Sequence, residues 1–323
     1  MAQGTHQTGI AHVNGTELYY EVAGTGHPFT LIHGLLLDRR SWDDQFELFA
    51  QQYKVLRYDV RGWGDSAQEE AEPPFSPRQD LLSLLHYLNI EKTYLLGLSG
   101  GGTFALDFTL EHQDKVDALI LVSSDPSGYA PPMTDAIQTF AGRYYGALQQ
   151  KDSAGAVEAT VRFWTDGPRR APEQVDAQAR ARITTMSMQQ IERHGDFMAH
   201  EQHMIPLEPS AINRLAEVRV PTLIVVGDED VPQVIEAAGI LEQGIAYHER
   251  DATPSWNAGI GAGAQHRRGR ANPVVWSPRK PARLLTTNDG GRESGRACAR
   301  CELAALCWLH GMSILKKKHL FRK

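Results

Sequence analysis

The chain has 323 residues, of which 41% are hydrophobic and 22% charged, with a formal net charge of −6. These proportions are ordinary for a globular protein and exclude wholesale disorder, and no apolar run reaches the roughly 18 residues that a membrane span needs. The length exceeds a typical single domain, but α/β chains of about 250 residues often form one core, so one main domain with appendages is expected.

The first six residues hold no basic segment followed by an apolar stretch, so no secretory signal is expected and the cytoplasm is the default location. Residues 16–22 read as a strand, and 28–33 form a short apolar run that ends at Gly34, as a buried strand does. Trp42, Phe46, Leu48 and Phe49 then recur near helical spacing. Residues 54–58 are the next strand, closed by the glycine-punctuated turn of residues 61–66. Leu81, Leu82, Leu84, Leu85 and Leu88 share one helical stripe. A strand at 93–98, a helix from about 100 to 112 and a strand at 116–122 follow. Strands that alternate with helices need right-handed crossovers, which gives a mostly parallel sheet covered by helices on both faces.

From about residue 126 to 215 the pattern is helical without a convincing strand, and the strand rhythm resumes at 221–227. The core is therefore assigned to residues 1–125 and 216–247. Residues 126–215 are assigned to a helical lid over the carboxyl edge of the sheet, where α/β proteins place their ligands. The lid holds Met133, Met186, Met188, Met198 and Met204, with Phe140, Tyr144, Tyr145, Phe163 and Trp164. These side chains suit either an adaptable apolar pocket or the lid's own small core.

The segment Gly97-Leu98-Ser99-Gly100-Gly101-Gly102 carries the chemistry. A serine flanked by glycines, entered from a strand and left through a helix, forms a nucleophile elbow, because the turn has no room for bulk and lifts the hydroxyl above the sheet edge. The helix N-terminus offers free N–H groups to developing negative charge. Acyl transfer also needs two preorganised donors for its oxyanion. The N–H groups of Gly100 and Leu35 are the candidates, the latter in the loop that begins His33-Gly34. His33 itself is expected to be a hydrogen-bonded loop residue. A carboxylate at the end of the strand at 221–227 shares the edge with Ser99 and would orient a histidine there. Asp230 is the candidate and Asp125, after the strand at 116–122, is the alternative, while Asp228 is expected to shape the turn.

Taken together, His33-Gly34, Trp42-Asp43-Asp44-Gln45, the run from Arg57 to Ser66, the elbow and the run from Pro221 to Asp230 resemble the α/β-hydrolase fold family. The likeness is to its esterase and lactonase members, of the kind that includes 3-oxoadipate enol-lactone hydrolases, and it covers about residues 8–245. The resemblance implies the order Ser, acid, His, with Asp230 as the acid. It implies hydrolysis of a small apolar ester or lactone without a cofactor or metal, and the same triad supports C–C bond hydrolysis or peracid formation. Dehalogenase and epoxide-hydrolase relatives carry aspartate at the elbow, so those chemistries are not expected.

The C-terminal part departs from this pattern. An apolar eighth strand, a glycine-rich loop with the histidine and a closing helix are expected over about 246–275. Arg, Pro, Gly and Ala dominate there instead, a composition that predicts disorder. Residues 249–323 carry 15 of the 33 Lys and Arg against five acidic side chains. The span 248–323 therefore reads as an atypical basic tail appended out of frame. His266 follows a glycine-rich segment and is the candidate base; His248 is the alternative, and absence of a base would leave a non-catalytic ligand-binding protein. Cys298, Cys301, Cys307 and His310 form a C-x2-C-x5-C-x2-H pattern whose loop is too short for a zinc site. His194, His200 and His203, and the run Lys316-Lys317-Lys318, read as solvated. A small-molecule substrate is expected, with no nucleic-acid or membrane partner.

Overall fold

The computed structural model describes residues 6–67, 74–196, 202–227 and 229–245, together with the backbone of 274–276. Eight strands form one sheet: β1 (Gln7–Val13), β2 (Thr16–Ala23), β3 (Pro28–Ile32), β4 (Lys54–Tyr58), β5 (Thr93–Leu98), β6 (Val116–Val122), β7 (Thr222–Val225) and β8 (Val274–Trp276). Their spatial order is β1-β2-β4-β3-β5-β6-β7-β8. β2 runs antiparallel to both β1 and β4, and every pair from β4 onward is parallel. The central strands are near-continuous apolar runs such as Leu119-Ile120-Leu121-Val122, all buried, as expected for strands covered on both faces.

Helices α1 (Asp43–Phe49), α2 (Pro77–Tyr87) and α3 (Gly100–Glu111) fill the first crossovers, and α7 (Pro232–Gly244) follows β7. Local chemistry sets their starts: Ser76 accepts a hydrogen bond from the Gln79 N–H with Pro77 in the first turn of α2, and Pro232 opens α7. On one face of the sheet, α2, α3 and α7 bury Leu81, Leu84, Ala105, Phe108 and Leu241 against Ile32, Leu95, Leu119 and Ile224. On the other, α1 packs Phe46 and Phe49 against Phe29, Leu31 and Val55.

Residues 126–215 hold α4 (Asp135–Gln149), α5 (Ser153–Thr160), a π-helical turn (Val161–Asp166) and α6 (Ala177–His194), with no strand among the described residues. The two ends of this insertion meet. Ser127 accepts from the Ile212 N–H at its carbonyl and from the Ala211 N–H at its hydroxyl, and that hydroxyl donates to Asp107 Oδ1 of α3 at 2.7 Å.

Two elements differ from expectation. β1 was not foreseen, and it forms an edge strand whose residues are mostly exposed. β8 lies inside the stretch whose composition predicts disorder, about 25 residues later than the sequence pattern places an eighth strand. Val274-Val275-Trp276 joins β-branched and aromatic residues within that Arg/Pro/Gly/Ala-rich stretch, and β7 otherwise presents an unpaired edge.

Candidate active site

Parallel pairing aligns the carboxyl ends of three neighbouring strands: Leu98 pairs with Val122, and Val122 with Val225. The residues that follow, Ser99, Ser123 and the turn ending at Asp230, therefore share one sheet edge. Ser99 caps α3 with φ +52° and ψ −124°, a region that side-chain-bearing residues rarely occupy. Its N–H donates to Val122 O at 2.8 Å and its carbonyl accepts from Gly102 and Thr103, so the backbone is pinned on both sides. The hydroxyl caps nothing and makes no hydrogen bond among the described residues.

The glycines of the elbow have a steric cause. A Cβ on Gly97 would lie 2.3 Å from Gly101 O, and one on Gly101 would lie 2.2 Å from His33 O. The helix thus starts in direct backbone contact with the loop that leaves β3. A Cβ position on Gly34 lies 3.5 Å from Ser99 Cβ, and one on Gly100 lies 2.6 Å from Leu35 Cγ. Ser99, Leu35 and Gly100 are thereby brought together.

His33 is buried and spent on this loop. Its Nε2 accepts from the Val60 N–H at 3.0 Å, which leaves the ring proton on Nδ1, and Nδ1 donates to Gly34 O at 2.8 Å. Leu36 holds φ +59° although bulky, and its side chain is buried among Tyr144, Ala156, Val161 and Ile191 of the insertion. Asp38 caps the next turn by accepting from Arg40 N–H, and Asp59 accepts from Arg39 N–H.

Asp230 Oδ2 accepts from Ser123 Oγ at 2.7 Å, and Oδ1 accepts from the Val231 N–H at 2.9 Å. Burial raises its pKa above the usual carboxylate range; those two hydrogen bonds and the charge of Arg170 act in the opposite direction. Asp125 is turned toward α3, where Thr103 Oγ1 donates to its carbonyl at 2.9 Å and its carboxylate at 3.2 Å, and burial raises its pKa as well. Ser123 and Arg170 escaped sequence reasoning: neither belongs to a motif, and both act through side chains distant in sequence.

His266 and His248 lie outside the described residues, as do Asp228, Met198, His200 and the cysteine-histidine segment. In chain order His266 precedes β8, whereas the resemblance implies a base that follows the last strand. Among the described residues no histidine bonds to Ser99 or Asp230. His194 differs from expectation: it is half-buried, with Nε2 3.3 Å from Gly64 O, and burial lowers its pKa. His203 is exposed. Among the described residues the insertion's aromatics pack on one another: Phe140 stacks on Phe163 and also meets Tyr144 and Trp164. Tyr144, Met188 and Phe140 serve the insertion's own core, Met186 is buried, Met204 packs against the main core, and Met133 is exposed.

Residues 27–243 match the family model described as alpha/beta hydrolase fold, and the chain belongs to that family. The AB hydrolase superfamily protein YisY from Bacillus subtilis (strain 168) is 27% identical, over 76% of this chain and 89% of that protein. A soluble epoxide hydrolase from Corynebacterium sp. (strain C12) is 31% identical over 119 residues, covering 36% of this chain and 41% of that protein, so the matched stretch spans under half the relative's length. The structure of the esterase RhEst1 from Rhodococcus sp. ECU1013 superposes with a TM-score of 0.58 at 22% identity, over 75% of this chain and 89% of that one. The enol-lactonase from Burkholderia xenovorans LB400 gives 0.51 at 23% identity, over 74% and 90%. At these identities the structural likeness shows the fold alone. Among the described residues no helix is long and apolar enough to cross a membrane.

Proposed function

We propose that the protein is a serine hydrolase that cleaves a small apolar ester or lactone through an acyl-enzyme on Ser99. The observation that carries this is the elbow: a backbone-pinned serine at φ +52° with an unspent hydroxyl, against the Gly34-Leu35 loop. In this mechanism a histidine takes the Ser99 proton as Oγ attacks the carbonyl carbon, and the Leu35 and Gly100 N–H groups receive the oxyanion. The histidine then protonates the leaving oxygen, and water releases the acyl group from Ser99. Asp230 orients the histidine, with His266 as the base. The helical insertion serves as the lid that sets substrate choice, and no cofactor enters any step. The esterase and enol-lactonase likenesses agree with this substrate class.

Ser99→Ala should reduce p-nitrophenyl acetate hydrolysis by at least ~10³-fold with an unchanged unfolding transition, because alanine fits the elbow. Undiminished turnover by the pure variant overturns the assignment. Because no described histidine bonds to Ser99 or Asp230, a second reading is a ligand-binding protein that uses the same sheet edge. It predicts tight ester binding in the wild type with no turnover.

A further inference from the structure

The neighbouring strands β5 and β6 are each followed by a serine at positive φ, Ser99 at +52° and Ser123 at +47°. Each donates its N–H at 2.8 Å to the last carbonyl of the next strand, Ser99 to Val122 O of β6 and Ser123 to Val225 O of β7. Glycine adopts positive φ readily, whereas a residue with a side chain does so at a cost that its surroundings must impose. At Ser99 the side chain is the proposed nucleophile. At Ser123 the hydroxyl has a different use: it donates to Asp230 Oδ2 at 2.7 Å.

The other donor to this carboxylate is local: the Val231 N–H gives its hydrogen bond to Oδ1 at 2.9 Å. A single hydrogen bond from the adjoining peptide leaves the carboxylate free to turn about its Cβ–Cγ bond, a torsion with broad wells. A second donor, on the other oxygen and from a different element, fixes the plane. Ser123 supplies it from the end of β6, and its own backbone is anchored to β7, the strand that leads to Asp230. An ionised carboxylate offers about four acceptor positions, so these two bonds leave room on each oxygen for a histidine N–H. The charged neighbours have their own places: Arg170 of the insertion favours the ionised form, Glu229 of the same turn lies 3.7 Å from Arg169, and Asp125 is bonded to Thr103 of α3.

We infer that Ser123 is a positioning residue for the reaction: its hydroxyl holds the Asp230 carboxylate in the one orientation that aligns the histidine, which is why a serine stands where the backbone favours glycine. This rests on the reading of Asp230 as the triad acid, whose task is to fix the tautomer and direction of the imidazole. Ser123 touches neither substrate nor the reacting atoms and acts only through that carboxylate.

The test compares full-length wild type with S123A, S123G, D230N and S123A/D230N by kcat and KM for p-nitrophenyl acetate and by thermal unfolding. S123A should lower kcat roughly 10- to 100-fold with KM within about threefold, because orientation of the acid serves the chemical step and not binding. S123G removes the same hydroxyl but relaxes the backbone, so it should lose kcat by the same factor while unfolding at or above the temperature of S123A. In the D230N background S123A should change kcat by less than about twofold, since the hydroxyl acts through that carboxylate. A kcat in S123A within about twofold of wild type, or the full S123A factor on top of D230N, overturns the inference. The Asp230 carboxyl carbon resonance, identified by its loss in D230N, reads the contact without turnover. Its titration should move up by about one pH unit in S123A, because the lost donor favoured the ionised form, and a titration that coincides with wild type overturns the inference. A wild type that neither hydrolyses esters nor reacts with a fluorophosphonate at Ser99 defeats the serine-hydrolase reading instead, and the Asp230 titration then decides by itself whether Ser123 holds the carboxylate.

Discussion

Ser99 occupies a backbone region that costs a side-chain-bearing residue about 1–3 kcal/mol, and the surrounding contacts must impose it. Gly97 and Gly101 do so by letting helix and loop backbones meet at distances that no Cβ tolerates. That is why the elbow was legible in sequence: its glycines answer a local steric demand. The acid is less local. Asp230 and Asp125 both stand at strand ends with pKa values raised by burial, and spacing alone does not rank them. Their partners differ, and we propose Asp230 as the acid: Asp125 faces Thr103 on α3, while Asp230 meets the Ser123 hydroxyl directly after β6. Asp230→Asn should lower kcat by about 10³- to 10⁴-fold with a small change in KM, as loss of histidine orientation does elsewhere. Asp125→Asn should stay within about tenfold; steady-state kinetics of both variants decide, and the reverse ranking would move the acid to Asp125.

At the level of elements, the insertion is tied to the core at its neck and at Leu36. The neck hangs on Asp107, a buried α3 carboxylate that accepts from Ser127 and lies 3.9 Å from Arg78, with Glu111 and Arg214 as the other nearby charges. Burial outweighs these partners and pushes its pKa up to about 6. The folded state then binds this proton more tightly than the unfolded chain. The stability it contributes is full below about pH 4 and is lost as pH rises through about 6. Asp107→Asn keeps an acceptor for Ser127, and Arg78 keeps Glu111 and the carbonyls of Ile205 and Pro206. The variant should be roughly 2 kcal/mol more stable than wild type at pH 7.5 and equal to it near pH 4. Urea unfolding at the two pH values checks this; a constant difference would show that Asp107 does not titrate in this range. Neither tie was visible in the sequence, because Asp107 sits mid-helix and Leu36 reads as an ordinary apolar loop residue.

Over the whole molecule, strands β2 to β7 were legible because buried parallel strands are contiguous apolar runs bounded by turn residues. β1 was not, since an exposed edge strand lacks that contrast, and β8 was hidden by the Arg, Pro and Gly around it. The same stretch decides the base. His266 stands eight residues before Val274, and an extended chain of that length reaches at most about 28 Å, longer than a typical strand. His266→Ala should cost nearly as much rate as Ser99→Ala, since triad members act as a unit; a full loss in His248→Ala with His266→Ala unaffected would assign the base to His248.

Reaction of the intact protein with a fluorophosphonate probe tests the nucleophile most directly, because the probe requires an activated serine but no knowledge of the natural substrate. The expected result is one phosphonylated site, mapped by peptide mass spectrometry to Ser99, absent in Ser99→Ala and strongly slowed in Asp230→Asn. An intact protein that stays unlabelled, or a Ser99→Ala variant that labels as fast as wild type, would contradict the assignment of Ser99 as the nucleophile.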